Sequence, residues 1–376
     1  MFSFHSCPPP LLLIASWVAG GVLLISSAWA DSTDTANADF DRGAMLADLA
    51  DQVAYPAFAM FASEAVRLDD AVQTLGSAPD PAVLERARER WTAAASSWVR
   101  ASLFDAGGPA TMLRFNQISK RPADLAGLEA RIAAAEGIDA KAVAASGSLL
   151  RGLPAVEALL FATDALVRLQ TEPAYGSYLH ALTGDLRSNA AAVAVEWNAA
   201  EGSRTVARFV AADSHGRNVR GSVNMLANAL IERTTALLRE QLGTPLGLDS
   251  GGEVRPDATL APLSRASLQL IQAELEGLRS AFVGGVDGAA LAFDDYLNAL
   301  GATFGFRPLS DVVTERFDTA IASAAGIEGS LEEALRERPE QVEALYSDVR
   351  LLLIALRTDV AGQLGLTATF NDNDGD

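Results

Sequence analysis

Apolar side chains recur every three or four residues along nearly the whole of this chain, and that spacing leaves little room for any fold but a helical one. Leu84, Ala87, Trp91, Ala95 and Trp98 fall on one helical face. So do Leu268, Ile271, Leu275, Leu278 and Phe282, and later Val342, Leu345, Val349, Leu352, Leu356 and Val360. Alternating apolar and polar stretches bounded by turn residues are scarce, so strands are not expected. The fold class is all-α, with about eight long helices near residues 40–75, 81–104, 149–168, 174–199, 204–242, 260–283, 287–326 and 331–364. Ser330 followed by Glu333 has the spacing of a capping box, and Pro339 breaks that helix from the next. Two stretches interrupt the pattern: Asp105 to Leu149, rich in Gly, Pro and Ala with only short helical patches, and Gly243 to Pro262, a loop by its prolines and glycines. Loops of that length within compact domains are uncommon and are often functional.

Residues 1–30 read as a signal peptide. An apolar run from Leu11 to Ile25 precedes the small-residue pattern Ala28-Trp29-Ala30 and then the polar Asp31-Ser32-Thr33-Asp34. The stretch departs from the pattern in having no Lys or Arg at its start, so retention as a membrane anchor is the alternative to cleavage. The expected location is the periplasm or cell envelope. The single cysteine, Cys7, lies within this segment, so the remainder has no disulfide, thiol nucleophile or thiolate ligand. The formal net charge of -19 falls entirely on the chain after residue 30, which argues against nucleic acid or an anionic membrane surface as a partner.

One segment carries more information than the rest: Arg151-Gly152-Leu153-Pro154-Ala155-Val156-Glu157-Ala158-Leu159-Leu160-Phe161. Pro154 suits the first turn of a helix, where its missing N–H would be unpaired anyway. Gly152 allows a change of direction before that turn. Glu157 sits one turn in, where the helix N-terminus favours a carboxylate, and Leu159, Leu160 and Phe161 supply an apolar docking face.

These residues resemble the Gly-x-His-x-x-Glu signature of imelysin-like proteins, with its aliphatic-aromatic tail; Pro154 stands where that family usually has its His. Three further matches keep the family's order. They are the closing Thr369-Phe370-Asn371-Asp372-Asn373-Asp374-Gly375-Asp376, the Gly243-Thr244-Pro245-Leu246-Gly247 turn, and Tyr55-Pro56 with Trp91 and Trp98 before Gly108-Pro109. The resemblance implies two helical-bundle lobes of about four long helices each; the division is placed near Gly202, giving residues 31–202 and 203–376, with Gly243 to Pro262 as the alternative boundary. It implies a ligand site at the cleft between them, with Gly152, Pro154 and Glu157 as the motif residues. In the family the His and Glu share one face and could hold iron or another divalent metal. Here Glu157 alone would remain as a metal ligand, and the loss of the His implies weakened or altered metal binding. Phe370, Asn371, Asp374, Gly375 and Asp376 are assigned a structural role in the tail.

Other chemistry is sparse. No His-x-x-Glu or His-Glu-x-x-His occurs, and a zinc hydrolase needs about three protein ligands and an open position. His180 lies on an apolar helix and reads as a packing residue. His215, beside Asp213 and Ser214, reads as a loop or helix kink, since adjacent residues cannot converge as a triad. The acids of the tail lack the starting ligand and the later Glu of a calcium loop. Glu64 and Glu196 are lone helix acids that could join Glu157 in a cleft, and Trp91 and Trp98 are core anchors.

The expected function is a periplasmic binding or accessory protein resembling the family's iron-uptake-associated envelope proteins, with envelope iron-uptake components as partners and a metal ion or small organic ligand near Glu157. The alternatives are a metallopeptidase, which the ligand set does not support, and a structural or interaction module that has lost its metal site.

Overall fold

A computed structural model describes residues 40–105, 109–134, 138–211 and 221–365. The signal segment, His215 and the tail from Phe370 to Asp376 therefore lie outside the described residues. The chain is helical, as the apolar spacing requires. Among the described residues, no helix is long and apolar enough to cross a membrane.

The first bundle is built on α1 (Arg42–Asp48), α2 (Tyr55–Ser77) and α3 (Pro81–Ala101). A π-helical segment, Leu49–Ala54, joins α1 to α2. The turn into α3 is fixed by Asp80, whose Oδ1 accepts the Ala82 N–H at 2.8 Å, with Pro81 in the first turn. Next come α4 (Pro109–Ser119), α5 (Leu125–Ala134), α6 (Ala140–Ala144), α7 (Gly152–Leu160) and α8 (Ala165–Thr171), then the long α9 (Pro173–Trp197). Helix α2 packs along both α3 and α9, and this trio holds an aromatic core in which Phe58, Phe61, Trp91 and Trp197 are fully buried. After a left-handed turn at Gly202, α10 (Arg204–Ala211) folds back on α1 and α9, with Phe209 edge-on to Trp197 at 5.3 Å.

The second bundle contains α11 (Ser222–Ala236), extended by a π-helical segment Leu237–Gly243, then α12 (Ser267–Val283), α13 (Phe293–Ala299), α14 (Leu309–Gly326), α15 (Leu331–Glu337) and α16 (Pro339–Ile354). A further π turn, Ala355–Val360, leads to α17 (Ala361–Gln363). Phe282, Phe293 and Phe317 form its aromatic centre. The capping box expected at α15 is present: Ser330 Oγ accepts the Glu333 N–H and Glu333 Oε2 accepts the Ser330 N–H.

Two expectations are corrected. The helix expected over 287–326 is interrupted by a hairpin, Thr303–Phe304 paired antiparallel with Arg307–Pro308. Gly301 and Gly305, both at φ +63°, supply the left-handed positions that a helix would not use. The helix expected from 260 starts only at Ser267, because Arg265 takes φ +56° just before it.

The bundles meet where α12 crosses α3. Gly277 lies so close to Arg100 that a Cβ there would stand 2.7 Å from its Cα and carbonyl oxygen. Arg100 also pairs with Glu276. At the other end Asp48 Oδ2 accepts the Leu291 N–H at 3.1 Å, and the Phe40 ring stacks on Tyr296 at 4.7 Å.

Candidate functional site

Every residue of α7 is buried, so its ends must find partners inside the protein. At its start Gly152 has φ +76°, and a Cβ would fall 2.3 Å from the Ile118 carbonyl oxygen. Glycine is required there on both counts. Arg151, itself buried, donates Nε to Asp185 Oδ2 at 2.8 Å and Nη1 to the Ala144 carbonyl at 2.9 Å, locking the entry into the helix. At the other end Tyr175 donates its hydroxyl to the Leu159 carbonyl at 2.6 Å, and Arg88 donates Nε to the Leu160 carbonyl at 2.9 Å. The helix is thus held by side chains from α3, α9 and the segment before it, and its motif residues have fixed positions.

Pro154 and Glu157 line one wall of a cavity of about 630 Å³ between the bundles. The first bundle contributes Trp98, Arg121 and Leu125 as well; the second contributes Arg233, Gln241, Leu263 and Glu274. Gly152 does not line the cavity: it sets the angle of α7. Glu157 is 2% exposed and has both oxygens engaged. Arg121 Nη1 donates to Oε2 at 3.1 Å, and Ser264 donates both its hydroxyl (2.9 Å) and its N–H (3.2 Å) to Oε1. Opposite, Glu274 is held by Arg233 at 2.7 Å and by the Gln241 amide at 2.8 Å. Arg233 crosses the interface to donate to Ser102 Oγ at 3.0 Å.

The residues present do not fit a resident metal ion. Pro154 has no donor atom, Glu157 spends its oxygens on a guanidinium and a serine, and among the described residues no three His, Cys, Asp or Glu side chains converge to hold one. Pro154 and Glu157, the expected motif residues, line this cavity together with Trp98, which was expected as a core anchor. Glu64 and Glu196 are elsewhere: Glu64 pairs with Arg67, and Glu196 with Arg114 at 3.1 Å. His180 is half-exposed, 3.8 Å from Asp69, because Leu179 and Leu182 take the inward face of α9. Sequence reasoning missed Arg121, Arg233, Gln241, Ser264 and Glu274. Lys120-Arg121 is a visible signal for one of them, two cations in an acidic chain within the stretch that interrupts the long helices.

Comparisons with known proteins agree with this architecture. A curated relative, iron-regulated protein A of Synechococcus elongatus, is 28% identical over 203 residues, covering 52% of this chain and 53% of the relative; the chain thus matches about half of that protein's length. Among solved structures, an imelysin-like protein from Psychrobacter arcticum superposes with a TM-score of 0.67 at 18% identity, covering 93% of this chain and 100% of the other. An iron-regulated protein A precursor from Parabacteroides distasonis gives 0.70 at 16% identity, covering 89% and 95%. Identities that low establish a shared fold alone. The sequence profile of the imelysin family matches residues 54–356, and on that match the chain belongs to the imelysin family.

Proposed function

We propose that this protein is an exported binding or accessory component of the cell envelope, and that its ligand sits in the cleft between the two bundles beside Glu157. The observation that carries the reading is the cavity of about 630 Å³, a size suited to a small molecule, walled by both bundles and joined across by Glu157 and Ser264. The iron-regulated names of the relatives support a setting in iron metabolism, with envelope iron-uptake components as partners. The donor set favours an organic ligand over a bare metal ion.

The test has two arms. Isothermal titration with ferrous, ferric, zinc and copper ions should give no tight binding; tight binding abolished by Glu157→Ala would replace the organic ligand with a metal. Native mass spectrometry of protein taken from the periplasm should reveal a bound small molecule, absent when Ala236→Trp fills the cavity. Identical spectra for both proteins, with no adduct in either, would sink the cleft as a binding site. A second reading draws on the full engagement of Glu157: the residue would then be an interbundle tie in a scaffold, and the same spectra decide between the two.

A further inference from the structure

The hairpin of Thr303–Phe304 and Arg307–Pro308 lines no wall of the cleft, yet it carries the most exposed large apolar side chain among the described residues. Phe306 is 107% exposed and Phe304 52%. Apolar residues scattered at half exposure are ordinary on a surface; a phenylalanine as open as in an extended peptide is not. The tip is also held in place. Gly305, at φ +63°, takes the first central position of the two-residue turn, the position that a type II′ turn gives to glycine. The Leu309 N–H donates to the Ala302 carbonyl at 3.0 Å, and Arg307 Nη2 pairs with Glu315 Oε2 on α14 at 2.8 Å.

Glu315 in turn lines a hollow of about 690 Å³ between α14 and the end of α12, so the hairpin and the hollow share a border. Asp287, Asp294 and Asp311 line it too, against one cation, Arg279, which Asp318 already holds at 2.6 Å. Arg316, on the same helix, does not line it. Val286, 87% exposed, adds an apolar spot to the same hollow. Among the described residues no three acids converge to hold a metal ion, so this charge is spread over a surface.

From these we infer that the hairpin and the acidic hollow together form a docking surface for a protein partner, one that offers an apolar socket edged by Lys or Arg. A projecting tip cannot enclose a small molecule, so the cavity belongs to the partner, and buried aromatic anchors are what such sockets receive. The acids beside the tip select the occupant. They would repel an anionic lipid surface, and a second copy of this chain, with the same net charge of -19, would meet them with like charge. A basic protein surface is complementary to them. The inference does not depend on what the cleft holds.

Photocrosslinking of the full chain in its native cells tests it, with Phe306 replaced by the photoreactive p-benzoylphenylalanine and the adduct read by mass spectrometry. The expected product joins this chain to one other protein, through a segment of that protein with a net positive charge. Its yield should fall at least fivefold when Asp287→Asn and Asp311→Asn are added; all three side chains are exposed, so the fold stays intact. An adduct to lipid or to a second copy of this chain overturns the inference. So does a partner segment without net positive charge, a yield unchanged in the double variant, or the absence of any adduct.

Discussion

Glu157 accepts two hydrogen bonds from Ser264, one from the hydroxyl and one from the backbone N–H, across 107 residues of sequence and from one bundle to the other. The segment it holds forms a wall of the cleft. That segment is also tied at both ends by a second buried carboxylate: Glu332 Oε1 accepts from Thr259 at 2.6 Å and from Ser267 at 2.7 Å. Two acids from different elements therefore set the position of one strap.

Removing Glu157 should show how much this tie is worth. Glu157→Ala removes both bonds that Ser264 makes across the bundles, leaving its hydroxyl with the Ala261 carbonyl and the Ala266 N–H, and strands the Arg121 guanidinium, which is a quarter exposed and so keeps some solvation. We expect a loss of about 2–4 kcal/mol, somewhat below the usual cost of breaking a fully buried pair, and about 1 kcal/mol for Ser264→Ala. Urea denaturation of both single variants and the double variant gives the coupling. A Glu157→Ala protein as stable as the parent would mean that the carboxylate contributes nothing to joining the bundles.

The Arg151–Asp185 pair is buried on both sides, so its prediction is sharper. Asp185→Ala leaves a buried guanidinium with the Ala144 carbonyl and no counter-charge, and should cost about 3–5 kcal/mol. Because Arg151 fixes the entry to α7, hydrogen exchange in Gly152–Leu160 should rise in the same variant. Protection of α7 unchanged from the parent would show that the pair stabilises its surroundings without positioning the helix.

The sequence makes some of this legible and hides the rest, for physical reasons. Periodicity locates helices because it is a local property, and Pro154 announces a helix start because its fixed φ acts locally too, whereas Glu157 lies beyond the first turn of a helix that begins at Gly152. Arg121 and Ser264 reach Glu157 from 36 and 107 residues away, through loops with no period to read. The hairpin at Thr303–Pro308 was missed because its residues are too few to alternate; only the glycines at 301 and 305 marked it. His180 misled for the opposite reason, since apolar neighbours on a helix do not say which way the residue between them points.

Close approach at the bundle interface gives a third prediction. Gly277→Ala gains about 1 kcal/mol in helix propensity, but its methyl would meet the Arg100 backbone at 2.7 Å, and backbone cannot move aside as a side chain tip can. Overpacking of this kind costs about 1–3 kcal/mol, so the substitution should be net destabilising by about 1 kcal/mol. It should also push α12 off α3 and loosen the Arg100–Glu276 pair. A thermal melt settles the sign: a higher Tm would mean that the bundles slide apart at no cost.

Asp294 provides a prediction in pH. Burial, with the neighbouring Asp295 adding to it, pushes its carboxyl up to about 6 despite its place in the first turn of α13. Its Oδ1 is buried without a hydrogen bond. In the unfolded chain the group has an ordinary aspartate value of about 4, so between the two values the folded protein holds a proton that the unfolded chain releases. The stability linked to that proton is fully present below about pH 4 and is lost as the pH rises through about 6. Asp294→Asn keeps the position neutral at every pH. The Tm of the variant relative to the parent should therefore rise between pH 4 and pH 7, with most of the change between about 4 and 6. Melts of both proteins across that range isolate this acidic pair, because the carboxylates away from it have the same surroundings in each. A Tm difference that stays flat with pH would mean that Asp294 ionises in the folded protein as freely as in the unfolded chain.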